Sequence, residues 1–401
     1  MIIIDIPYIE TNELKSRVIN NITIDGKIHK IWFEVDNEYK DFLCVERDDA
    51  YLIGVLSFAM RNNHNILCKT PITDELLYKI ETILIPSLCK YGKALHNISI
   101  EAETLAPIQS GFAVGTGCSC GVDSFSSIVN HNKSHYPNLD LTHLCINNVG
   151  AFNECYQSYG IDAVKDERYR ITRNVAEEIG LPLIVTDSNF TEEIPMNHLL
   201  THTYSSCFAV YILQKLWAKY YYSSSGIDYS GFSLEDNDIK DCAYYELLSL
   251  QCFSTSGLQI YSEGGEKDRL EKTRDIIGFR IAQEHLHVCI QRPYNCGNCS
   301  KCLRTLLSLD VLNSLDKFKD SFDVDEYLSN KQENLMWLIE EHLKGSTMIE
   351  PIYDGFVEKG QISNKLIHKT KKRLLKYKVL NFLSPVLGRM SVLYRKIVPK
   401  K

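Results

Sequence analysis

The alternation of apolar and polar positions along the 401-residue chain changes character twice. Over residues 1–105, short β-rich runs (IIIDIPYI, RVINNITI, KIHKIWFEV, HNILCK) are broken by Asp, Asn and Gly, and Asp25-Gly26 has the composition of a hairpin turn. DAYLIGVLSFAMRNN and TDELLYKIETILIPSLCKYG carry apolar residues at helical spacing. Thr73 is the expected N-cap of the second, with Leu76, Leu77, Ile80, Ile83 and Leu84 on one face. From about residue 106, strands alternate with helices. GFAVGTGCS, LTHLCINNV, LPLIVTDS and YYYSSSG read as strands; DSFSSIVNH, YRITRNVAEEIG and TYSSCFAVYILQKLWAK read as helices. Residues 310–350 are helical and acidic. The pattern predicts a β-rich α+β module (1–105), an α/β domain (106–310) with a parallel sheet covered on both faces, and a helical C-terminal region (311–401).

Parallel sheets bind ligands at the carboxyl ends of their strands. Asn147-Asn148, Thr186-Asp187-Ser188 and Ser223-Ser224-Ser225-Gly226 fall at expected strand ends. They should therefore converge near GTGCSCGVDSFSS (115–127), where the first of these strands runs into a helix. Small residues there let the backbone approach a ligand, and the unpaired N–H groups of a helix start suit phosphate. Ser119 and Ser124 add hydroxyls. Asp123 either carries a magnesium ion that bridges to phosphates or caps the helix. No Gly-Lys-Ser/Thr closes the loop as in a Walker motif, and the glycine spacing is not that of a dinucleotide fold.

Ser119-Cys120-Gly121-Val122-Asp123-Ser124 resembles the Ser-Gly-Gly-x-Asp-Ser loop of the PP-loop ATP pyrophosphatase superfamily, with Cys120 in place of a glycine. The resemblance implies a Rossmann-like (HUP-type) sheet, ATP and Mg2+. It makes Ser119, Cys120, Gly121, Val122, Asp123 and Ser124 the pyrophosphate and magnesium site, with Thr116 and Gly117 on the entering strand near the nucleotide. Asn147 and Asp187 would bound adenine and ribose, although polar residues at strand ends are usually turn formers. Cys120 is either a small residue filling a glycine slot, which requires a backbone that avoids φ > 0, or a thiol activated at a helix N-terminus. The filler reading is favoured.

Fourteen cysteines are many for a chain whose start has neither a basic flank nor a small-residue cleavage site, which points to the cytosol and away from a disulfide framework. Four of them, Cys289, Cys296, Cys299 and Cys302, form Cys-x6-Cys-x2-Cys-x2-Cys, a donor set for structural Zn2+ in preference to an iron–sulfur cluster. Lys301 and Arg304 would offset its charge. The loop together with this cluster resembles the 7-cyano-7-deazaguanine synthase-like members of the superfamily over about 110–310. That likeness implies an ATP-dependent synthetase: a carboxylate or carbonyl oxygen attacks the α-phosphorus, pyrophosphate leaves, and nitrogen or sulfur then displaces AMP. The substrate would be a small molecule or carrier-bound acyl group, as in thioamide or modified-purine formation. A tRNA-modifying enzyme and a non-catalytic ATP-binding protein are the alternatives.

The loop lacks a lysine, so a second basic element is needed. SEGGEKDRLEKTRDIIGFR supplies Arg269 and Lys272, three apart on one helix face, either as a catalytic clamp with Asp123 and Ser124 or as part of a solvated helix partnered by Glu271 and Asp275. His198, His202 and Tyr204 precede the fourth strand; a histidine there can serve as a base, although an ordinary hydrogen-bonded role is favoured. Net charge changes the view of partners. The overall −7 combines twelve Lys and Arg, with no Asp or Glu, between Lys365 and Lys401 with a strongly acidic body. Such a tail fits an acidic carrier protein, a membrane surface, or packing on its own chain or the second subunit of a homodimer; RNA is opposed by the acidic body.

Overall fold

The computed structural model describes residues 1–150, 161–224, 227–235, 238–289 and 291–376. Cys155, Ser225, Gly226 and the basic tail from residue 377 onward lie outside the described residues. Thirteen strands follow one another as β1 (Ile2–Ile4), β2 (Tyr8–Thr11), β3 (Lys15–Ile24), β4 (Lys27–Asp36), β5 (Ile66–Cys68), β6 (Ile72–Thr73), β7 (Ile100–Glu101), β8 (Thr104–Leu105), β9 (Ala113–Gly117), β10 (His143–Asn147), β11 (Leu183–Ser188), β12 (Trp217–Ser223) and β13 (Gln259–Glu263). Eleven of them form one mixed sheet in the order β13-β12-β9-β10-β11-β4-β3-β1-β5-β7, with β2 on β3, while β6 and β8 pair separately.

The α/β part behaves as its alternation demands. The strands β9 to β13 are mutually parallel, so their carboxyl ends share one edge. Period-two alternation sends Tyr220 and Tyr222 of β12 into one apolar cluster and Tyr221 into another, so the sheet buries both faces. The first cluster includes helices Asp49–Asn62 and His202–Ile212; the second includes Val122–His131 and Ser300–Val311. The fifth parallel strand, β13, was not legible in QIYSE: it is an edge strand with mostly uncovered polar side chains.

The N-terminal segment continues the same sheet. Asp25 and Gly26 take φ of 48° and 84°, the left-handed pair that a two-residue hairpin needs, and they join β3 to β4 in ten-residue register. The strand β4 then pairs antiparallel with the end of β11, Asp187 opposite Glu34 and Ser188 opposite Phe33. Tyr51 packs edge-on against Phe208 at 5.6 Å between ring centroids, one contact of a core shared with the α/β part.

Three local expectations are refined or corrected. Thr73 holds the N-cap position as expected but makes no side-chain cap bond, because its hydroxyl donates to the buried Asp49 carboxylate at 2.6 Å. Ile83 is exposed, since a π-helical turn over Ile80–Leu84 breaks the 3.6-residue period of that face. The helix expected to run through Leu216-Trp217-Ala218-Lys219 ends at Ile212, and Trp217 already starts β12. No helix among the described residues is long and apolar enough to cross a membrane.

Candidate functional site

At the carboxyl end of β9 the chain makes a tight turn into helix Val122–His131. Cys118 N–H donates to the Cys145 carbonyl at 2.7 Å, and the Cys120 carbonyl accepts from His287 N–H at 2.8 Å. Arg168 spans the turn, donating to the carbonyls of Ser119 and His287, each at 3.2 Å. Gly117, Ser119, Gly121 and Asp123 reach the surface, whereas Thr116, Val122 and Ser124 are buried. Thr116 gives its hydroxyl to the Tyr221 carbonyl at 2.8 Å, and Val122 has only its N–H to offer. Ser119 and Ser124 are hydrogen-bonded to each other at 3.3 Å along the same turn.

Cys120 has φ of 57°. The condition for a passive replacement of glycine, a backbone outside the left-handed region, is therefore not met, and the turn holds a non-glycine residue where it costs of order 1 kcal/mol. Its side chain is buried beside Thr172 at 3.7 Å. A hydrogen bond with Cys118, supported by Thr172 and the charge of Arg168, holds the Cys120 thiol below its ordinary range despite burial.

Arg269 and Lys272 are not on a solvated helix face. Both are buried, and both reach the loop: Arg269 Nη2 lies 3.0 Å from Asp123 Oδ2, and Lys272 Nζ lies 3.5 Å from Oδ1. Glu271 and Asp275, the acids of the same helix, are occupied elsewhere. Glu271 closes a capping box with Asp268, and Asp275 accepts from Lys267 and Ser126 at 2.8 and 2.7 Å. Lys272 also donates to the Ser224 carbonyl at 3.0 Å, tying this helix to the end of β12. Gly264, at φ of 76°, explains the glycine pair: a Cβ there would stand 3.1 Å from Lys272 Cε.

A third cation joins them. Burial and the neighbouring Arg269 push the Arg304 guanidinium down to about 9, while Asp123 and Cys299 act on it in the opposite sense. Burial by itself would raise the Asp123 carboxyl. The pull of Arg269, Lys272 and Arg304 outweighs burial and holds it below its ordinary value. Two cations thus pair with one carboxylate beside a helix N-terminus and a third acts on it electrostatically, an excess of positive charge in a partly desolvated place. Two atoms there lack hydrogen-bond partners, the acceptor Asp123 Oδ1 and the donor Arg269 Nε.

The remaining strand-end residues do other work. Asn147 Oδ1 accepts from Thr186 at 2.8 Å, and Asp187 is held by Lys165 at 2.9 Å and Asn148 at 2.7 Å, so these side chains lace the ends of β10 and β11 together. Burial pulls the His198 imidazole down to about 4. Tyr204 is buried against Phe253, and His202 bonds to Tyr222 at 2.8 Å.

The sulfur atoms of Cys289, Cys296, Cys299 and Cys302 all lie within 4.8 Å of one another, and the cluster can hold a metal ion. Backbone N–H groups of Gln291, Cys299 and Cys302 point at Cys289, Cys296 and Cys299 sulfurs at 3.3 to 3.5 Å, and Gly297 takes φ of 71° in the knuckle. Cys299 then caps helix Ser300–Val311, whose second turn carries Arg304. Arg304 feels the charge of both Asp123 and Cys299, and its Nη1 lies 2.9 Å from the Met348 sulfur. Sequence reasoning assigned it only to the thiolates, and it missed Arg168, which lies on helix Ile161–Ile179 outside every motif read in the chain. The chain finds no match when compared with protein-family models, with curated proteins or with solved structures.

Proposed function

We propose that this chain is an ATP-dependent synthetase of the PP-loop type, which adenylates a carboxylate or carbonyl and releases pyrophosphate. The observation that carries the reading is the burial of Arg269 and Lys272 against Asp123 at the start of the loop helix. Buried cations in excess of their counterion are costly unless an anion completes the site. The strand arrangement supports the same reading: in chain order the parallel strands lie third, second, first, fourth, fifth, which is the doubly wound, Rossmann-like order, and the loop leaves its central strand.

In this proposal the substrate oxygen attacks the α-phosphorus of ATP, and the bond to the bridging oxygen of pyrophosphate breaks. Arg269, Lys272 and Arg304 neutralise the charge that grows on the departing pyrophosphate. The N–H groups of Gly121, Val122 and Asp123 and the hydroxyl of Ser119 orient it. Asp123, whose Oδ1 has no hydrogen-bond partner, would hold a magnesium ion, which would supply further charge neutralisation for the phosphates. The cysteine cluster fits structural zinc and would fix the start of the helix that presents Arg304. Nitrogen or sulfur then takes the place of AMP on the acyl carbon.

The test is a pyrophosphate-release assay with ATP, Mg2+ and a panel of carboxylates. Pyrophosphate and AMP are expected, with a loss of at least about 100-fold in Lys272→Met. Release of ADP and phosphate would overturn the reading, and tight ATP binding without any turnover would favour the non-catalytic alternative.

A further inference from the structure

Outside the anion site, a second cluster of metal-ligating side chains lies among the described residues. The ligand atoms of His202, Asp241 and Cys242 are all within 4.8 Å of one another. We propose that these three residues form a second divalent-metal site, of the zinc class and distinct from the four cysteines, with one coordination position open to an exogenous ligand.

Four observations support it. The first is the disposition of the imidazole. Its Nδ1 is engaged by the Tyr222 hydroxyl at 2.8 Å, which leaves Nε2 facing Asp241 Oδ1 at 3.3 Å. Nitrogen and oxygen ligands about 2.0–2.2 Å from a tetrahedral ion stand roughly 3.3–3.5 Å apart. A ligating histidine whose other ring nitrogen is held by a neighbour has the orientation fixed for metal binding.

The second observation is the state of the sulfur. Cys242 is fully buried, so its thiol is out of reach as a nucleophile for a substrate in solution, and Thr203 Oγ1 donates to its sulfur at 3.4 Å. A hydroxyl directed at sulfur is the partner expected for a ligating thiolate. The third is the asymmetry of exposure. The side chain of Asp241 is 29% exposed while that of His202 is 11% exposed, so the carboxylate is the more open of the two to solvent. Asp241 Oδ1 is in turn fixed by the Ala243 N–H at 3.0 Å.

The fourth is charge. A thiolate and a carboxylate balance a divalent cation, and a neutral imidazole completes a buried site with no net charge. Three protein ligands of mixed type with one free position is the pattern of zinc sites that bind water or substrate, in contrast to the closed four-thiolate cluster. The contrasting group Glu178, Glu284 and His285 carries no such inference: it is only partly buried and Arg280 pairs with both of its glutamates.

The site adjoins the anion site through β12, since Tyr222 precedes by two residues the Ser224 whose carbonyl holds Lys272. An ion there would lie near the end of β12, on which Tyr222 holds His202. The chemistry it supplies is that of a Lewis acid for a carboxylate, amine or thiol ligand.

The experiment is metal analysis of the full-length protein, purified without chelator, with zinc and then cobalt(II) as the probe. Two equivalents per chain are expected in the wild type. Asp241→Asn and Cys242→Ser should each lose one equivalent while keeping the intense thiolate-to-cobalt absorption of the four-cysteine cluster. Asp241→Asn alters a partly exposed side chain and keeps an acceptor for the Ala243 N–H, so its count remains informative if Cys242→Ser does not fold. One equivalent in the wild type, or two retained by a folded Asp241→Asn protein, would overturn the proposal. Neither measurement involves ATP, so this site stands or falls separately from the pyrophosphate assay.

Discussion

At the scale of the residue, Asp123 and the cations around it decide how the site behaves. Taking away one partner of a buried ion pair costs about 3–5 kcal/mol, because the remaining charge is left uncompensated. Asp123→Asn should therefore destabilise the ligand-free protein by about 3 kcal/mol in denaturant unfolding, and millimolar pyrophosphate should restore much of that loss by supplying an anion. A variant that pyrophosphate does not stabilise would argue that no anion enters. The pH dependence has a defined sign. The Asp123 carboxyl is held below its ordinary 3.8 in the folded chain, so its contribution is complete above that value. The contribution is lost as pH falls through the folded value. The stability gap between wild type and Asp123→Asn should thus be constant near neutrality and close only below about pH 3.8, read from unfolding curves at stepped pH.

At the scale of the element, the knuckle and the helix that follows it act as a unit. Cys299 contributes a sulfur to the cluster and also accepts from the Cys302 N–H as the N-cap of Ser300–Val311. A ligand that is also a cap transmits the state of the cluster to the helix start. Arg304 lies less than two turns from the cap. Replacing Cys302 by serine should therefore speed amide hydrogen exchange over residues 300–306 and weaken pyrophosphate binding. Unchanged exchange in that segment would show that the helix is held by its packing alone. The loop helix offers a comparison: its N-cap, Gly121, makes no side-chain cap bond, which leaves its first N–H groups available to a ligand.

At the scale of the whole molecule, the antiparallel seam between β4 and β11 joins the N-terminal segment to the α/β sheet. Phe33 of β4, Tyr51 of the first helix and Phe190 and Phe208 of the α/β part belong to one core cluster. The residues 106–376 expressed alone would uncover that apolar surface and the end of β11, a combination that drives aggregation. This fragment should be insoluble or should bind a hydrophobic dye, and co-expression with residues 1–105 should rescue it. A monodisperse, cooperatively melting fragment would show that the seam is dispensable. At the other end, the first part of the basic tail lies on the chain's own acidic helix: Arg373 reaches Glu340 at 2.6 Å and Glu333 at 2.5 Å, and Thr370 is buried.

The sequence alone determined what depends on neighbours in the chain. Strand and helix periods, the Asp25-Gly26 hairpin, the glycine-serine turn ahead of Asp123 and the Cys-x2-Cys knuckles are local patterns, and physical constraints on a few consecutive residues suffice to produce them. Tertiary structure decided what depends on distant segments meeting. Arg269 and Lys272 read equally well as solvated or functional because their burial is a property of the surrounding helices, not of their spacing. The grouping of His202 with Asp241 and Cys242 was hidden because about forty residues, including a helix, a strand and two short turns, separate the ligands. The conformation of Cys120 was likewise settled by contacts from Arg168, Thr172 and His287, which hold a left-handed residue that no local preference would place there.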